Sequence, residues 1–110
     1  MKKGLIAAGC LGLLLLTGTT VFAQKKGDAA KGKMAFDENC SVCHNSDSEE
    51  VKVGPGLKGL FKHEKLKNGK PVTEDNVRAM INTGGNGMPS FADLLSDDER
   101  ADVIAFLKTI

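Results

Sequence analysis

The sequence is poor in the residues on which several common functions depend. It contains no tryptophan and no tyrosine, and its aromatic content is only 5%. With 15 basic and 14 acidic residues, the chain has a formal net charge of +1. Nucleic-acid binding is therefore not expected, because the lysine-rich part of the chain lacks interleaved aromatic residues and the domain as a whole is not basic.

Cysteine and histidine are also scarce, with three and two copies respectively. A structural zinc site needs four soft ligands, typically two C-x-x-C pairs or one such pair with two histidines. Outside the motif Cys40-Ser41-Val42-Cys43-His44, the chain contains only Cys10 and His63. Cys10 lies in an N-terminal apolar run that we expect to be removed. Neither a structural zinc site nor a structural disulfide is therefore predicted.

The longest uninterrupted apolar run, Leu5 to Leu16, is about a dozen residues, whereas a membrane-spanning helix needs about 20. The run follows the basic start Lys2-Lys3 and precedes Val21-Phe22-Ala23. This order is typical of a secretory signal peptide that is cleaved after its last small residue. We therefore predict a cleaved signal peptide at 1–23 and a single mature domain at 24–110, without a membrane span.

Two alternatives concern the same N-terminal segment. The apolar run would act as a membrane anchor if it were not cleaved. Ala7-Ala8-Gly9-Cys10 faintly resembles a lipoprotein processing site, but most of the apolar run follows Cys10 instead of preceding it. We therefore favour export to the periplasm, or another location outside the cytoplasm, with the segment removed.

Cys40-Ser41-Val42-Cys43-His44 is the C-x-x-C-H signature of covalent haem attachment. On one helical turn, residues three apart lie side by side, so both thiols can reach the two vinyl groups of one porphyrin. His44 shares that face and can bring its imidazole to the iron. A thioredoxin-like pair would follow a strand in an alternating β/α pattern, whereas the residues before Cys40 are typical of a helix. A disulfide across this spacing would close a strained and labile loop.

Capping and turn signals predict an all-α fold. Asp28 is a candidate N-cap for a helix that ends near Asn39. Thr73 is a candidate cap for a second helix over residues 74–82, with Val77, Met80 and Ile81 on its buried face. Asn68-Gly69 is typical of a tight turn between short extended arms.

The last helix has the clearest sequence signals. Ser96 and Glu99 form the pattern of a capping box. An apolar stripe follows at helical spacing, with Arg100 and the acidic residues mostly off it. The stripe contains Val103, Phe106, Leu107 and Ile110.

A second iron ligand is needed opposite His44, and the chain contains four candidates. Met34 and Met80 lie at helical spacing among apolar residues, so core packing is the better interpretation for both. His63 lies among lysines, where solvent exposure is expected. Met88 follows a glycine-rich loop and precedes a proline, which favours an extended backbone outside any helix. We therefore predict Met88 as the distal ligand.

Together these motifs resemble a class I cytochrome c, and more narrowly the small monohaem bacterial carriers. The motifs are, in chain order, Cys40-Ser41-Val42-Cys43-His44, Gly54-Pro55-Gly56-Leu57, Gly87-Met88-Pro89-Ser90-Phe91 and the C-terminal helix. The resemblance implies a cytochrome c fold, in which the N- and C-terminal helices cross around one haem c held by two thioethers.

The resemblance also implies several residue roles. Gly32, Phe36 and Phe106 match the helix contact of the family, and the carbonyl of Pro55 matches the acceptor for the other ring nitrogen of the proximal histidine. Tryptophan and tyrosine rings often surround the haem propionates in relatives, and this chain lacks both. Arg78 and the lysines are therefore only candidates for that role.

The ligand set indicates the function. With both axial positions filled, the iron has no open site for a substrate, and a thioether ligand raises the reduction potential. We therefore predict a monomeric, non-enzymatic carrier that moves single electrons between larger redox proteins. The alternative is a small haem peroxidase or gas-binding sensor with a labile Met88. A third possibility is an electron-transfer module of a multi-subunit complex.

Charge is unevenly distributed along the mature chain. Residues 52–70 contain six lysines against one glutamate, whereas residues 71–110 contain three basic and seven acidic residues. Such a dipole can orient the domain on a charged partner. The simpler interpretation of residues 52–70 is a solvated lysine-rich loop, and the sequence leaves both interpretations open.

A mature domain of this size is near the lower limit for a self-sufficient core, and it has no structural disulfide. We therefore expect the haem-free chain to be mostly unfolded. The variant Cys40→Ala, Cys43→Ala, prepared without haem, should lose its helical circular dichroism signal. A native-like spectrum from this variant would contradict the expectation.

Overall fold

The computed structural model describes residues 26–110, and the predicted signal peptide lies outside this range. Helix α1 spans Ala29–Asn39, α2 spans Glu74–Thr83 and α3 spans Asp97–Leu107. A short 3-10 helix, Leu60–Lys62, lies between α1 and α2. Within the described range, extended pairing is limited to two isolated bridges, Lys65 with Pro71 and Gly85 with Met88. The predicted all-α class is therefore confirmed.

The helix starts follow from local capping, as expected. The side chain of Asp28 accepts hydrogen bonds from the backbone N–H groups of Ala30 and Lys31. The Thr73 hydroxyl caps α2, and Ser96 and Glu99 form both hydrogen bonds of a capping box at α3. Each cap satisfies N–H groups that have no partner inside the helix.

Helices α1 and α3 pack closely at Gly32, which is buried. A Cβ atom at this position would lie 1.8 Å from the carbonyl oxygen of Asp102. Beside this contact, the rings of Phe36 and Phe106 lie with centroids 5.4 Å apart at an interplanar angle of 56°. The predicted crossing of the first and last helices at these three residues is confirmed.

The hydrophobic core extends from this crossing to α2 and to the segment before α3. Val103 is 1% exposed and Ile104 is 2% exposed, so α3 is surrounded by other parts of the chain on a wide face. Other buried members are Phe36, Val77, Ile81, Phe91, Leu95, Phe106 and Leu107.

The structure corrects three expectations about side chains. Met34 was expected in the core, but it is 66% exposed on α1. Met80 is only half-buried and lies beside Asn68 and Lys70 at a surface cavity. Arg100 was expected to lie mostly off the buried face of α3, but the residue is only 7% exposed.

The contact at Gly32 generates a prediction about stability. Gly32→Ala should destabilise the holoprotein by about 3 kcal/mol, because its Cβ meets backbone atoms that cannot move independently of α3. This loss exceeds the gain of about 1 kcal/mol that alanine provides over glycine inside a helix. Chemical denaturation would measure the change.

Met34→Ala is the matched control, because the side chain lies on the same helix and is exposed. It should change the free energy of unfolding by less than about 0.5 kcal/mol. Equal stability of the Gly32→Ala variant and the wild type would contradict a close helix contact.

Candidate functional site

The cysteine pair lies on a turn that continues directly from α1. The backbone N–H of Cys40 donates to the carbonyl of Phe36, 2.7 Å away. The N–H groups of Cys43 and His44 both donate to the carbonyl of Cys40, at 3.1 and 2.9 Å. One helical turn therefore holds both sulfur atoms and the imidazole at the spacing that the motif predicts.

The ring of His44 is fixed by the segment that contains Pro55. Its Nδ1 atom lies 2.8 Å from the carbonyl oxygen of Pro55. Because a carbonyl can only accept, Nδ1 carries a hydrogen, and in the neutral ring Nε2 then has the lone pair that could bind a metal. The expected contact between these two residues is therefore present.

Backbone hydrogen bonds hold this segment against the cysteine turn. The N–H of Gly54 donates to the carbonyl of Cys43 at 2.7 Å, and the N–H of Leu57 donates to the carbonyl of Asn45 at 2.8 Å. A Cβ atom at Gly54 would lie 2.5 Å from Cε1 of His44. Glycine at this position therefore lets the backbone approach the face of the imidazole closely.

The surroundings of Cys40 favour an uncharged sulfur. Cys40 and Cys43 are both free in the structure. Burial raises the pKa of the Cys40 thiol to about 11, and the neighbouring Cys43 contributes a smaller increase. A thioether is neutral at every pH, so this environment suits a covalently attached sulfur better than a thiolate.

Met88 lies on a loop between α2 and α3 and belongs to no helix, as predicted. Its backbone N–H and carbonyl pair with the carbonyl and N–H of Gly85, at 3.0 and 2.9 Å. Gly84, Gly85, Asn86 and Gly87 all have positive φ angles, which suits glycine best and is tolerated by asparagine. The side chain of Met88 is half-buried and packs against the hydrophobic core.

The other candidate ligands have different surroundings. Met34 is exposed, as reported above. His63 is also exposed, as expected, and its Nε2 atom lies 2.9 Å from Oε1 of Glu49. Met88 is therefore the candidate that combines an irregular backbone with contact to the same core that Cys40 contacts.

A group of apolar side chains packs against the core while remaining half-buried. Such side chains gain further stability if a large apolar group covers their remaining surface. The cysteine turn, Nε2 of His44 and these partly buried apolar side chains are the kinds of group that hold a haem. The side chains include Cys40, Leu57, Leu60, Phe61, Leu66, Val72 and Met88.

The burial of Arg100 near this site was missed in the sequence analysis. Its guanidinium hydrogen-bonds to carbonyl groups in the segment that follows Met88. Spacing could have revealed its burial, because Arg100 precedes Val103 by three positions and Leu107 by seven. Those offsets place it on the apolar stripe of α3.

One turn carries two thiols and an imidazole, and the described residues contain no second cysteine pair that could complete a zinc site. This arrangement is typical of a protein with a covalently attached haem. Comparison with known proteins specifies the family. A family model described as cytochrome C oxidase, cbb3-type, subunit III matches residues 27–107. The chain belongs to the class I c-type cytochromes.

Several relatives are small carriers of this class. Cytochrome c6 of Thermosynechococcus vestitus is 32% identical over 107 residues, covering 97% of this chain and 91% of the relative. Cytochrome c6 of Picosynechococcus sp. is 34% identical, covering 97% and 92%. The structure of cytochrome c6 from the diatom Phaeodactylum tricornutum matches with a TM-score of 0.61 and 29% identity, covering 76% of this chain and 93% of that one.

These similarities confirm the cytochrome c fold and the presence of one covalently bound haem c. They also confirm the predicted function of an electron carrier that uses this haem. The peroxidase or sensor alternative is not favoured. Within residues 26–110, every helix is too short or too polar to cross a bilayer.

Proposed function

We propose that the haem is attached through Cys40 and Cys43 and that His44 and Met88 are the two axial ligands of its iron. The hydrogen bond between Nδ1 of His44 and the carbonyl of Pro55 is the observation that carries the proposal. It selects the tautomer that leaves Nε2 free, and a carbonyl acceptor also increases the basicity of the ligand. Pro55 thereby acts on the iron through His44.

The loop that contains Met88 supports its role as the distal ligand. Its backbone pairing with Gly85 holds the residue outside a helix, and a Cβ atom at Gly84 would lie 2.3 Å from the carbonyl of Met88. The backbone of Met88 is therefore held by its hydrogen bonds to Gly85 and by the close approach of Gly84. A ligand held in this way can remain bound in both oxidation states of the iron, with little change in geometry.

A carrier with two axial ligands does not need an open site, so we infer that the protein has no enzymatic activity. It would carry single electrons between larger redox proteins. The N-terminal sequence supports export to the periplasm after cleavage of residues 1–23. The resulting domain, residues 24–110, would act as a monomer.

The lysine-rich segment 52–70 is the docking surface that we propose for an anionic partner. Its first residues lie next to the haem attachment turn, because Nζ of Lys52 donates to the carbonyl of Ser41 at 2.8 Å. All six lysines of the segment are exposed. A concentrated positive charge near the cofactor increases the rate of encounter with an anionic partner.

A second candidate function is that of an electron-transfer module within a larger oxidase. The description of the matching family model names an oxidase subunit, which favours this alternative. Purification of the native protein from membranes under mild conditions would distinguish the two. Stable association with other subunits would favour the module, whereas recovery as a free monomer would favour the shuttle.

Met88→Ala tests the ligand assignment. The ferric variant should completely lose the weak far-red sulfur-to-iron absorption band, because no thioether would remain on the iron. The midpoint potential should decrease, and the ferrous variant should bind carbon monoxide rapidly at neutral pH. Absorption spectroscopy and a redox titration would measure these changes.

Met34→Ala removes a thioether from the exposed face of α1 and is the matched control. It should retain the band and the midpoint potential of the wild type. Retention of the band in Met88→Ala would exclude Met88 as the ligand. A pyridine haemochrome spectrum without the c-type signature would exclude the attachment through Cys40 and Cys43.

Charge reversal tests the docking surface. At low ionic strength, Lys58→Glu, Lys62→Glu should slow the oxidation of the ferrous protein by ferricyanide about tenfold, because the attraction of an anion is lost near the cofactor. Stopped-flow absorption would measure the rate. The difference should decrease at about 1 M salt, where the Debye length is about 3 Å.

Lys26→Glu, Lys31→Glu changes the net charge equally but near the start of α1, where both lysines are exposed. This control should slow the reaction much less. Equal effects of the two double variants would show that net charge alone matters and would contradict a local docking surface.

A further inference from the structure

Arg100 connects α3 to the segment that follows Met88. Its Nη1 atom donates to the carbonyl of Ala92 at 3.0 Å and to the carbonyl of Phe91 at 3.3 Å, and it also donates to the carbonyl of Leu95. Nη2 pairs with the carboxylate of Asp97. One buried side chain therefore binds three backbone carbonyls in a stretch of five residues.

A buried guanidinium is stable only if its charge and its donors have partners. The carboxylate of Asp97 is 88% exposed, so solvent weakens its interaction with the arginine. The three carbonyls are therefore the main buried partners of the guanidinium. If the guanidinium is removed, the buried carbonyl of Leu95 loses its donor, whereas the carbonyl of Phe91 still accepts from the N–H of Leu95 at 3.0 Å.

The segment bound by Arg100 begins close to Met88 in the chain. Between them, the Ser90 hydroxyl donates to the carbonyl of Asn82, and the N–H of Phe91 donates to the carbonyl of Ile81 at 3.0 Å. Met88 is thus held by Gly85 on its N-terminal side and by α2 and Arg100 on its C-terminal side. Among the hydrogen bonds described for residues 84–95, those of Arg100 are the only ones donated by α3.

We propose that Arg100 is a positioning residue for Met88: by binding the carbonyls of Phe91, Ala92 and Leu95, it keeps the Met88 loop in place and stabilises the sulfur–iron bond. The inference rests on the proposed assignment of Met88 as the distal ligand. The proposed role of the arginine requires no direct contact with the haem iron or with Met88. Its effect is transmitted by the backbone of residues 88–91.

Arg100→Met tests the proposal, because it removes the guanidinium but retains an unbranched apolar stem. The fraction of ferric protein that lacks the sulfur–iron bond should increase about tenfold under native conditions, since the buried carbonyl of Leu95 loses its donor and those of Phe91 and Ala92 lose their link to α3. The far-red band should disappear at a lower denaturant concentration than the helical circular dichroism signal. The gap between the two midpoints should be wider than in the wild type.

Phe106→Leu separates this effect from a general loss of stability. It weakens the ring contact between α1 and α3 without removing a hydrogen-bond donor to residues 91–95. Both midpoints should move together in this variant, and the gap between them should stay as in the wild type. The same parallel shift in Arg100→Met would overturn the proposal and leave Arg100 with a purely structural role.

Two further variants complete the test. Asp97→Asn retains the hydrogen bonds from Arg100 to the three carbonyls, so the gap between the two midpoints should equal that of the wild type. A gap as wide as in Arg100→Met would assign the effect to the ion pair with Asp97 and overturn the proposal. Arg100→Lys keeps the charge with fewer donors in a different geometry, and the gap should be intermediate. If Arg100→Met does not fold, an unchanged gap in Arg100→Lys would overturn the proposal.

The assignment of Met88 as a ligand and the positioning role of Arg100 can be disproved separately. If the wild type lacks the far-red band, or if Met88→Ala retains it, the assignment of Met88 is wrong. If the band depends on Met88 but responds to Arg100→Met only through global unfolding, the ligand assignment stands and the positioning role is wrong. Faster carbon monoxide binding to ferrous Arg100→Met than to ferrous Phe106→Leu is the second expected sign of a loosened Met88.

Discussion

Helices α1 and α3 meet at Gly32, where a Cβ atom would lie 1.8 Å from the carbonyl oxygen of Asp102. Both halves of the haem site depend on this contact. The cysteine turn continues directly from the C-terminal end of α1, and the Met88 loop leads through residues 91–95 into the start of α3. Because packed helices resist small displacements, the crossing fixes the distance between the two segments. A larger residue at Gly32 would therefore change the relative position of the segments that hold the haem, although neither segment contains the substitution.

Each side of the site combines a local constraint with one from another part of the chain. On the proximal side, the cysteine turn adjoins His44 in the sequence, and the carbonyl of Pro55, 11 residues further on, fixes the imidazole ring. On the distal side, the proposed ligand Met88 would depend on glycine conformations at one end of its loop and on Arg100 at the other. A covalent attachment retains the haem even when a distal ligand dissociates. If Met88 is that ligand, as we propose, the stability of its loop would control whether the iron has an open coordination site.

The sequence-based predictions succeeded mainly where the interactions join residues that are close together in the chain. Asp28, Thr73 and Ser96 were correctly identified as helix caps because a cap satisfies N–H groups two or three residues away. The cysteine turn was equally local. Met34 was wrongly expected in the core, because helical spacing among apolar residues does not say which face another helix covers. The burial of Arg100 was missed although its spacing to Val103 and Leu107 indicates it. Its hydrogen-bond partners, the carbonyls of residues 91–95, could not be predicted because they become neighbours only after the segment folds back on α3.

By itself, the sequence determined the haem attachment motif, the all-α class, the helix starts and the candidate ligand Met88. Each of these depends on the chemistry of a residue type or on spacing within a few positions. The tertiary structure decided which methionine is exposed, how the carbonyl of Pro55 selects the tautomer of His44, and why a charged residue is buried on α3. These features depend on which distant segments come together, because burial and hydrogen-bond partners are properties of the packed chain. The C-x-x-C-H motif indicates where the haem would be attached, whereas the crossing of α1 and α3 sets the relative positions of the segments proposed to hold it.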